Sequence, residues 1–218
     1  MLRPRLALLL MTIAVLSACS RTGTVMGDIV VTTPAGHEQR AAHTTVLAIH
    51  ATKTFEDEWR TTVAAFEEEL APARRSRDEA ARSLELARVA WTKAVGTTPA
   101  GSRRRHGVVA SGRQRDLWAG VRAAEKRLAA AERHMRDIGQ RHDPLGTAVL
   151  ERHATQRIET DATGHYVLAA LPTGPVYLYA RLTVPRQTFL WFKSVTVRRD
   201  ILRLDLRNAN AGGWPFLW

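Results

Sequence analysis

Residues 160 to 180 read Thr-Asp-Ala-Thr-Gly-His-Tyr-Val-Leu-Ala-Ala-Leu-Pro-Thr-Gly-Pro-Val-Tyr-Leu-Tyr-Ala. A strand ends here in a tight turn over Asp161 to Gly164. Asp bonds its own backbone at the head of such a turn, and Gly supplies the left-handed residue that closes a hairpin. A second strand then passes through Tyr166 and Leu168. The break from Leu171 to Pro175 feeds a third, which begins at Val176.

Working outward, further strands are expected on both sides. Val25 to Thr33 is rich in Val, Ile and Thr, and Pro34-Ala35-Gly36 ends it. Thr44–His50 reads as its partner. With Arg157–Thr160, His165–Ala169, Val176–Val184, Thr188–Val197 and Ile201–Leu206 the chain offers seven strands, the number of a small antiparallel β-sandwich.

Between the second and third of these the pattern changes. Trp59, Val63, Phe66, Leu70, Ala73, Ala80, Leu84, Ala87, Trp91 and Ala94 follow a 4,3 spacing, broken only at Arg77. Thr54, followed by Glu56, Asp57 and Glu58, suits a helix start. A second run carries Leu117, Val121, Ala124, Leu128, Ala131, Met135 and Ile138 at the same spacing. Gly96 to Gly112 has no period and reads as a loop. Folded antiparallel, the two stripes meet in one register in which every facing pair of residue numbers sums to 208. Large residues then mostly face small ones, Arg77 faces Ala131, and Glu67 faces Arg141 as an edge ion pair. The expectation is an antiparallel coiled coil about 40 Å long, kinked at Pro72 and ended by Asp143-Pro144-Leu145-Gly146. The fold class is therefore α+β, a seven-stranded antiparallel sandwich with a helical hairpin inserted between strands 2 and 3. In domain terms, 25–53 and 147–207 form the sandwich, 54–142 the insertion and 208–218 an apolar tail.

Gly27, Ile29, Val46, Thr160, Asp161, Gly164, Tyr166, Leu168, Leu171, Pro172, Gly174 and Tyr177 together resemble the pattern of the carboxypeptidase regulatory-like, or prealbumin-like, β-sandwich family. Tyr177-Leu178-Tyr179 departs from that family's Tyr-x-Leu. The resemblance covers residues 25 to 50 and 155 to 207 and leaves the hairpin outside. It implies an accessory or structural module of exported proteins without activity of its own.

At the N-terminus Arg3 and Arg5 precede an apolar run, Leu6 to Leu16, too short to span a bilayer. Leu16-Ser17-Ala18-Cys19 resembles the lipobox of bacterial lipoproteins, which implies a signal peptide over 1–18 and lipidation of Cys19. Cys19 is the only cysteine, so no intrachain disulfide exists. Residues 19–24 read as a short tether. The implied location is the cell envelope, anchored to a membrane and facing the periplasm or the cell surface.

The eight histidines show no metal-ligand spacing, and no nucleophile-base-acid set or phosphate-cradling glycine loop is present. No enzyme activity, cofactor or metal is expected. Charge is the sharper signal. Net charge is +11, and Ala73 to His142 holds 17 Arg and Lys against 7 Asp and Glu. Arg103, Arg104 and Arg105 in the loop, with Arg113 and Arg115, are the candidate partner contacts. A solvated surface kept soluble by arginine explains them too. As contacts they suit an acidic envelope protein, lipid headgroups or an anionic polymer; the export signal argues against nucleic acid. The functional expectation is a lipid-anchored, non-enzymatic binding or scaffolding protein. The alternative is a periplasmic adaptor-like part of a transport assembly, and a small hydrolase ranks last. The tail from Trp214 to Trp218 is expected to dock on the sandwich edge, to sit at the membrane interface, or to engage a partner.

Overall fold

The alternation of Val25, Gly27, Ile29 and Val31 sends one side of strand β1 (Thr22–Thr32) into a core and leaves the other side half-buried. The computed structural model describes residues 22–33, 36–96, 112–185 and 187–216. Strand β1 starts three residues before its expected beginning. The other strands are β2 (Glu38–Arg40), β3 (Thr45–His50), β4 (Ala154–Glu159), β5 (His165–Pro172), β6 (Gly174–Val184), β7 (Gln187–Val197), β8 (Ile201–Arg203) and β9 (Leu206–Arg207). Helices α1 (Lys53–Gly96) and α2 (Gly112–His153) separate β3 from β4. The chain is α+β and divides into two compact units, one of strands and one of helices, the first reaching to Glu58 and resuming at Ala148.

In the strand unit, β2-β1-β5 form one sheet, with β8 and β9 also on β1, and β4-β3-β6-β7 form the other. Pairing is antiparallel except for β8 and β9, which run parallel to β1. Val25, Ile29, Tyr166, Leu168 and Leu171 of the first sheet meet Val46, Leu178, Ala180, Phe189 and Trp191 of the second in one core, the packing of a sandwich. Nine strands among the described residues replace the expected seven. The expected last strand splits at Leu204-Asp205, where the Asp205 carboxylate takes the amide of Asp28 at 3.2 Å. The short β2 is new. The helices accordingly follow the third strand, and β3 and β4 are antiparallel neighbours in one sheet.

The quoted stretch folds as its residues require. Asp161 Oδ1 accepts the amides of Thr163 (2.7 Å) and His165 (3.0 Å), and Gly164 takes φ +79. The Thr163 hydroxyl bond comes first among the causes that hold the Asp161 carboxyl below the usual range, followed by those amides. Thr160 is buried; its hydroxyl donates to the Ala41 carbonyl and accepts the Thr44 amide. Gly27 fits because a Cβ there would stand 2.0 Å from the Leu204 carbonyl oxygen. Tyr166 reaches that same oxygen through its hydroxyl at 2.5 Å, and burial pushes its ionisation up. Trp214 lies against Tyr179 and Phe192 in this unit, so the apolar tail is docked at that residue.

The helices are longer than expected, 44 and 42 residues. The α1 cap is Thr52, whose hydroxyl accepts the Phe55 amide at 3.2 Å, two residues before the expected Thr54. Pro72 lies inside α1. Asp143-Pro144-Leu145-Gly146 does not stop α2, which continues to His153, so the strand expected from Arg157 is β4, beginning at Ala154. The reason is packing. Pro144 and Gln140 are exposed, so the carbonyl freed by proline faces water, while Val149 and Leu150 beyond it are buried. Gly146 is not a turn residue either. A Cβ on it would stand 2.1 Å from the Phe216 ring, so glycine leaves room for that ring.

Within the helical unit Leu84, Val121 and Ala124 form a buried cluster with Ala87, Trp91 and Leu128 against it, as the register asks. Phe66 faces His142 at 5.3 Å, a pair that also sums to 208. The edge pair differs. Arg141 bonds Glu69, and Glu67 takes Arg74 at 2.7 Å instead.

Candidate functional site

Cys19 and Arg103, Arg104 and Arg105 lie outside the described residues. Arg113 and Arg115 stand exposed in the first turn of α2. Two residues apart, they are turned about 200° from each other on the helix and do not share a face. No acid occupies that first turn, so both add to the positive end of the helix dipole.

Arg115 belongs to a larger feature. Arg115, Arg122, Lys126, Arg133 and Arg136 are spaced seven, four, seven and three residues apart, and all five are exposed. At 100° per residue they fall within an arc of about 80°, roughly 140° from the seam, in a line about 32 Å long. Besides the cations, only Trp118 and Ala129 fall in that arc. None of the five cations makes an ion pair or hydrogen bond among the described residues. Like charges three and four residues apart, here Arg122 with Lys126 and Arg133 with Arg136, cost a helix roughly 0.2–0.5 kcal/mol per pair. Carboxylates flank it on both sides: Asp116 and Asp137 on one, Glu125 and Glu132 on the other. Glu125 is taken by Arg88 of α1 at 3.1 Å.

At the Arg136 end a groove of about 440 Å³ is lined by Arg74, Arg77 and Asp78 of α1 and Glu132, Met135 and Arg136 of α2. It opens where Arg77 interrupts the apolar seam opposite Ala131. Near the other end Trp118 is 42 % exposed and leans on Trp91 at 5.3 Å.

Sequence reasoning located the excess charge in the hairpin but placed its contact patch in the loop and the first turn of α2. The signal for the line was the interval between basic residues, read at the same period as the seam. Two further constellations were also missed. Phe55-x-x-Glu58 and Phe66-x-x-Glu69 stand eleven residues apart, as do Arg141-His142 and Arg152-His153. In the helical unit His142 Nε2 donates to Glu69 at 2.8 Å and Arg141 bonds its other oxygen. In the strand unit His153 Nε2 donates to Glu58 at 2.6 Å and Arg152 does the same as Arg141. These bonds, histidine first and arginine second, hold both carboxyls below the ordinary range. Each glutamate is thus an acceptor only, and the sets act as clasps across the two helices.

The polar cluster on β1 is structural in the same sense. Asp28 takes His165 at 3.0 Å and Arg203 at 3.1 Å. Burial works against the charge on Asp205, yet the Asp28 amide, Arg203 and Arg207 outweigh it and keep that carboxyl low. Among the described residues no group of three or more His, Asp or Glu is placed to hold a metal ion. No helix among them is long and apolar enough to cross a membrane.

No protein-family model matches this chain, and no curated protein sequence matches it. Solved structures similar to it include the following three. A candidate carbohydrate-binding protein from Pseudomonas aeruginosa has 14 % identity over 87 % of this chain and 90 % of its own, with a TM-score of 0.35. The pilus backbone protein RrgB of Streptococcus pneumoniae has 10 % identity over 85 % of this chain and 41 % of its own, at 0.25. The full-length major pilin of the same species has 11 % identity over 84 % and 30 %, at 0.24. This chain spans less than half the length of either pilin. At these TM-scores none of the three carries an argument about function.

Proposed function

We propose that this chain is a lipid-anchored, non-enzymatic envelope protein that binds or scaffolds through its basic helical hairpin. The observation that carries the reading is the line of five exposed, unpaired cations on α2. Five charges held in a row without direct ion-pair partners favour an anionic partner and raise its rate of encounter. Cys19, in its lipobox-like setting, supplies the anchor. Arg103, Arg104, Arg105 and Arg113 add charge near the start of the line in sequence. The sandwich is the structural module, as its resemblance implies.

The test is crosslinking in intact cells with a probe at position 122, beside a chain in which Arg115, Arg122, Lys126, Arg133 and Arg136 are all changed to Gln. A partner captured by the first and lost by the second supports the reading. Equal recovery from both leaves the cations as a solvated surface. Cys19→Ser should move the protein from the membrane fraction to the soluble one; retention in the membrane fraction counts against the anchor. The adaptor-like alternative draws on one observation, that the hairpin joins two neighbouring strands of a sheet, and requires a transport protein among the crosslinked products.

A further inference from the structure

The shape of the charged line says what kind of anion fits it. A flat anionic sheet, such as a bilayer, would meet the flanking Asp116, Glu125, Glu132 and Asp137 together with the cations. A bilayer also rewards several apolar side chains beside the basic ones, and the arc offers one, Trp118. A narrow chain laid along the helix avoids the flanking acids. Its charged groups would recur every few ångströms over about 32 Å, matching cations about 5 to 10 Å apart.

Trp118 narrows the class further. Its ring is partly exposed within the arc, supported behind by Trp91. A single aromatic face suits the C–H face of a sugar ring. Single-stranded nucleic acid binds on a succession of aromatic platforms, which the arc lacks. At the opposite end Arg136 leads into the groove with Arg77 and Arg74. Arg77 is held by Asp78 at 2.9 Å and Arg74 by Glu67 at 2.7 Å, so the groove meets an anion through Arg136 at its mouth and Glu132 repels a second group.

We propose that the outer face of α2 is a binding track for a linear anionic polysaccharide. Its acid groups pair with Arg115, Arg122, Lys126, Arg133 and Arg136, the last at the mouth of the groove, and one sugar ring lies on Trp118. This rests on the reading of the hairpin as an anion-binding surface.

The test uses the full chain and four probes: polygalacturonate, polyphosphate of similar charge, oligothymidylate, and vesicles of phosphatidylglycerol. Polygalacturonate should bind most tightly. Arg122→Gln, Lys126→Gln and Arg133→Gln together should weaken it about tenfold, with helix content by circular dichroism unchanged. Trp118→Ala should weaken polygalacturonate about fivefold and leave polyphosphate as it was. Equal loss with both polymers, or oligothymidylate binding as tightly as polygalacturonate, overturns the polysaccharide. Capture of vesicles without any polymer overturns the track and keeps the anion-binding hairpin. Capture of no anionic probe overturns both.

Discussion

Two stretches of the same helical hairpin are built by opposite rules. Around Phe66 and His142 the helices are sealed. Phe66 is fully buried against His142 and Phe216, Glu69 is held by two partners from α2, and Gly146 is bare so that Phe216 can enter. Around Leu84 and Val121 the buried cluster is small, with only Ala124 joining them among the described residues. Leu86 and Val89 are exposed beside it, and the five cations of the line on α2 go unpaired among the described residues. Two helices alone bury little, so the sealed stretch borrows a third element, the Phe216 ring, while the open stretch leaves the outer face of α2 exposed. The difference teaches that stability and display are assigned to different turns of the same helices.

The largest effects should come from the sealed stretch. Phe66→Ala removes a ring that touches two others and should cost about 3–5 kcal/mol in urea unfolding. Leu84→Ala, in the smaller cluster, should cost nearer 2 kcal/mol. Equal costs would break the comparison. Next come the glycines of α2. Gly146→Ala drives a Cβ into Phe216 and should cost about 1–3 kcal/mol, whereas Gly120 has open space around it. Gly120→Ala should therefore stabilise by about 0.5–1 kcal/mol. A stabilising Gly146→Ala would show that the ring yields easily and that the stretch is not sealed.

These positions also show where sequence reading stops. The Asp161 to Gly164 turn was legible because the bonds of the Asp161 carboxylate and of the turn's own amides are local, between residues at most four apart. The seam was legible because periodicity survives any context. Pro144 and Gly146 misled, since they carry the local signature of a stop, and it is overruled by the burial of Val149 and Leu150 just beyond them and by the Phe216 ring, brought in from elsewhere. The split of β8 from β9 was hidden for the same reason, because it depends on Asp205 meeting a backbone amide far away in the chain. For the site, net charge was readable but its direction was not. Arg113 and Arg115 looked like neighbours in sequence and stand on different faces, while Arg115 and Arg136, three heptads apart, lie in one line.

Acid should act on the sealed stretch through Glu69. Its carboxyl is held below the ordinary 4.5 by His142 and then Arg141. A depressed folded value means stability that is present above the unfolded value and lost as pH falls through the folded one. Unfolding midpoints measured from pH 6 down to pH 3 should thus fall below about pH 4.5, and Glu69→Gln should lower the plateau and flatten that acid limb. Glu58→Gln should flatten a further part, since its clasp repeats the same chemistry with His153 and Arg152. An unchanged acid limb in both variants would mean that the clasps do not report protonation.

The smallest effect tests the open stretch. Arg88 reaches Glu125 at 3.1 Å across the helices, with both side chains about half exposed. A pair in that setting is screened and spends side-chain entropy to hold its geometry, so Arg88→Ala should change stability by less than about 0.5 kcal/mol. Its effect on binding should have the same sense as loss of an α2 cation and be smaller. Freeing Glu125 places an unpaired carboxylate beside the line, which should weaken a polyanion slightly at low salt and not at all at high salt. A loss of stability as large as that of Leu84→Ala would show that the open stretch is held by its charges, and the contrast between the two stretches would fall.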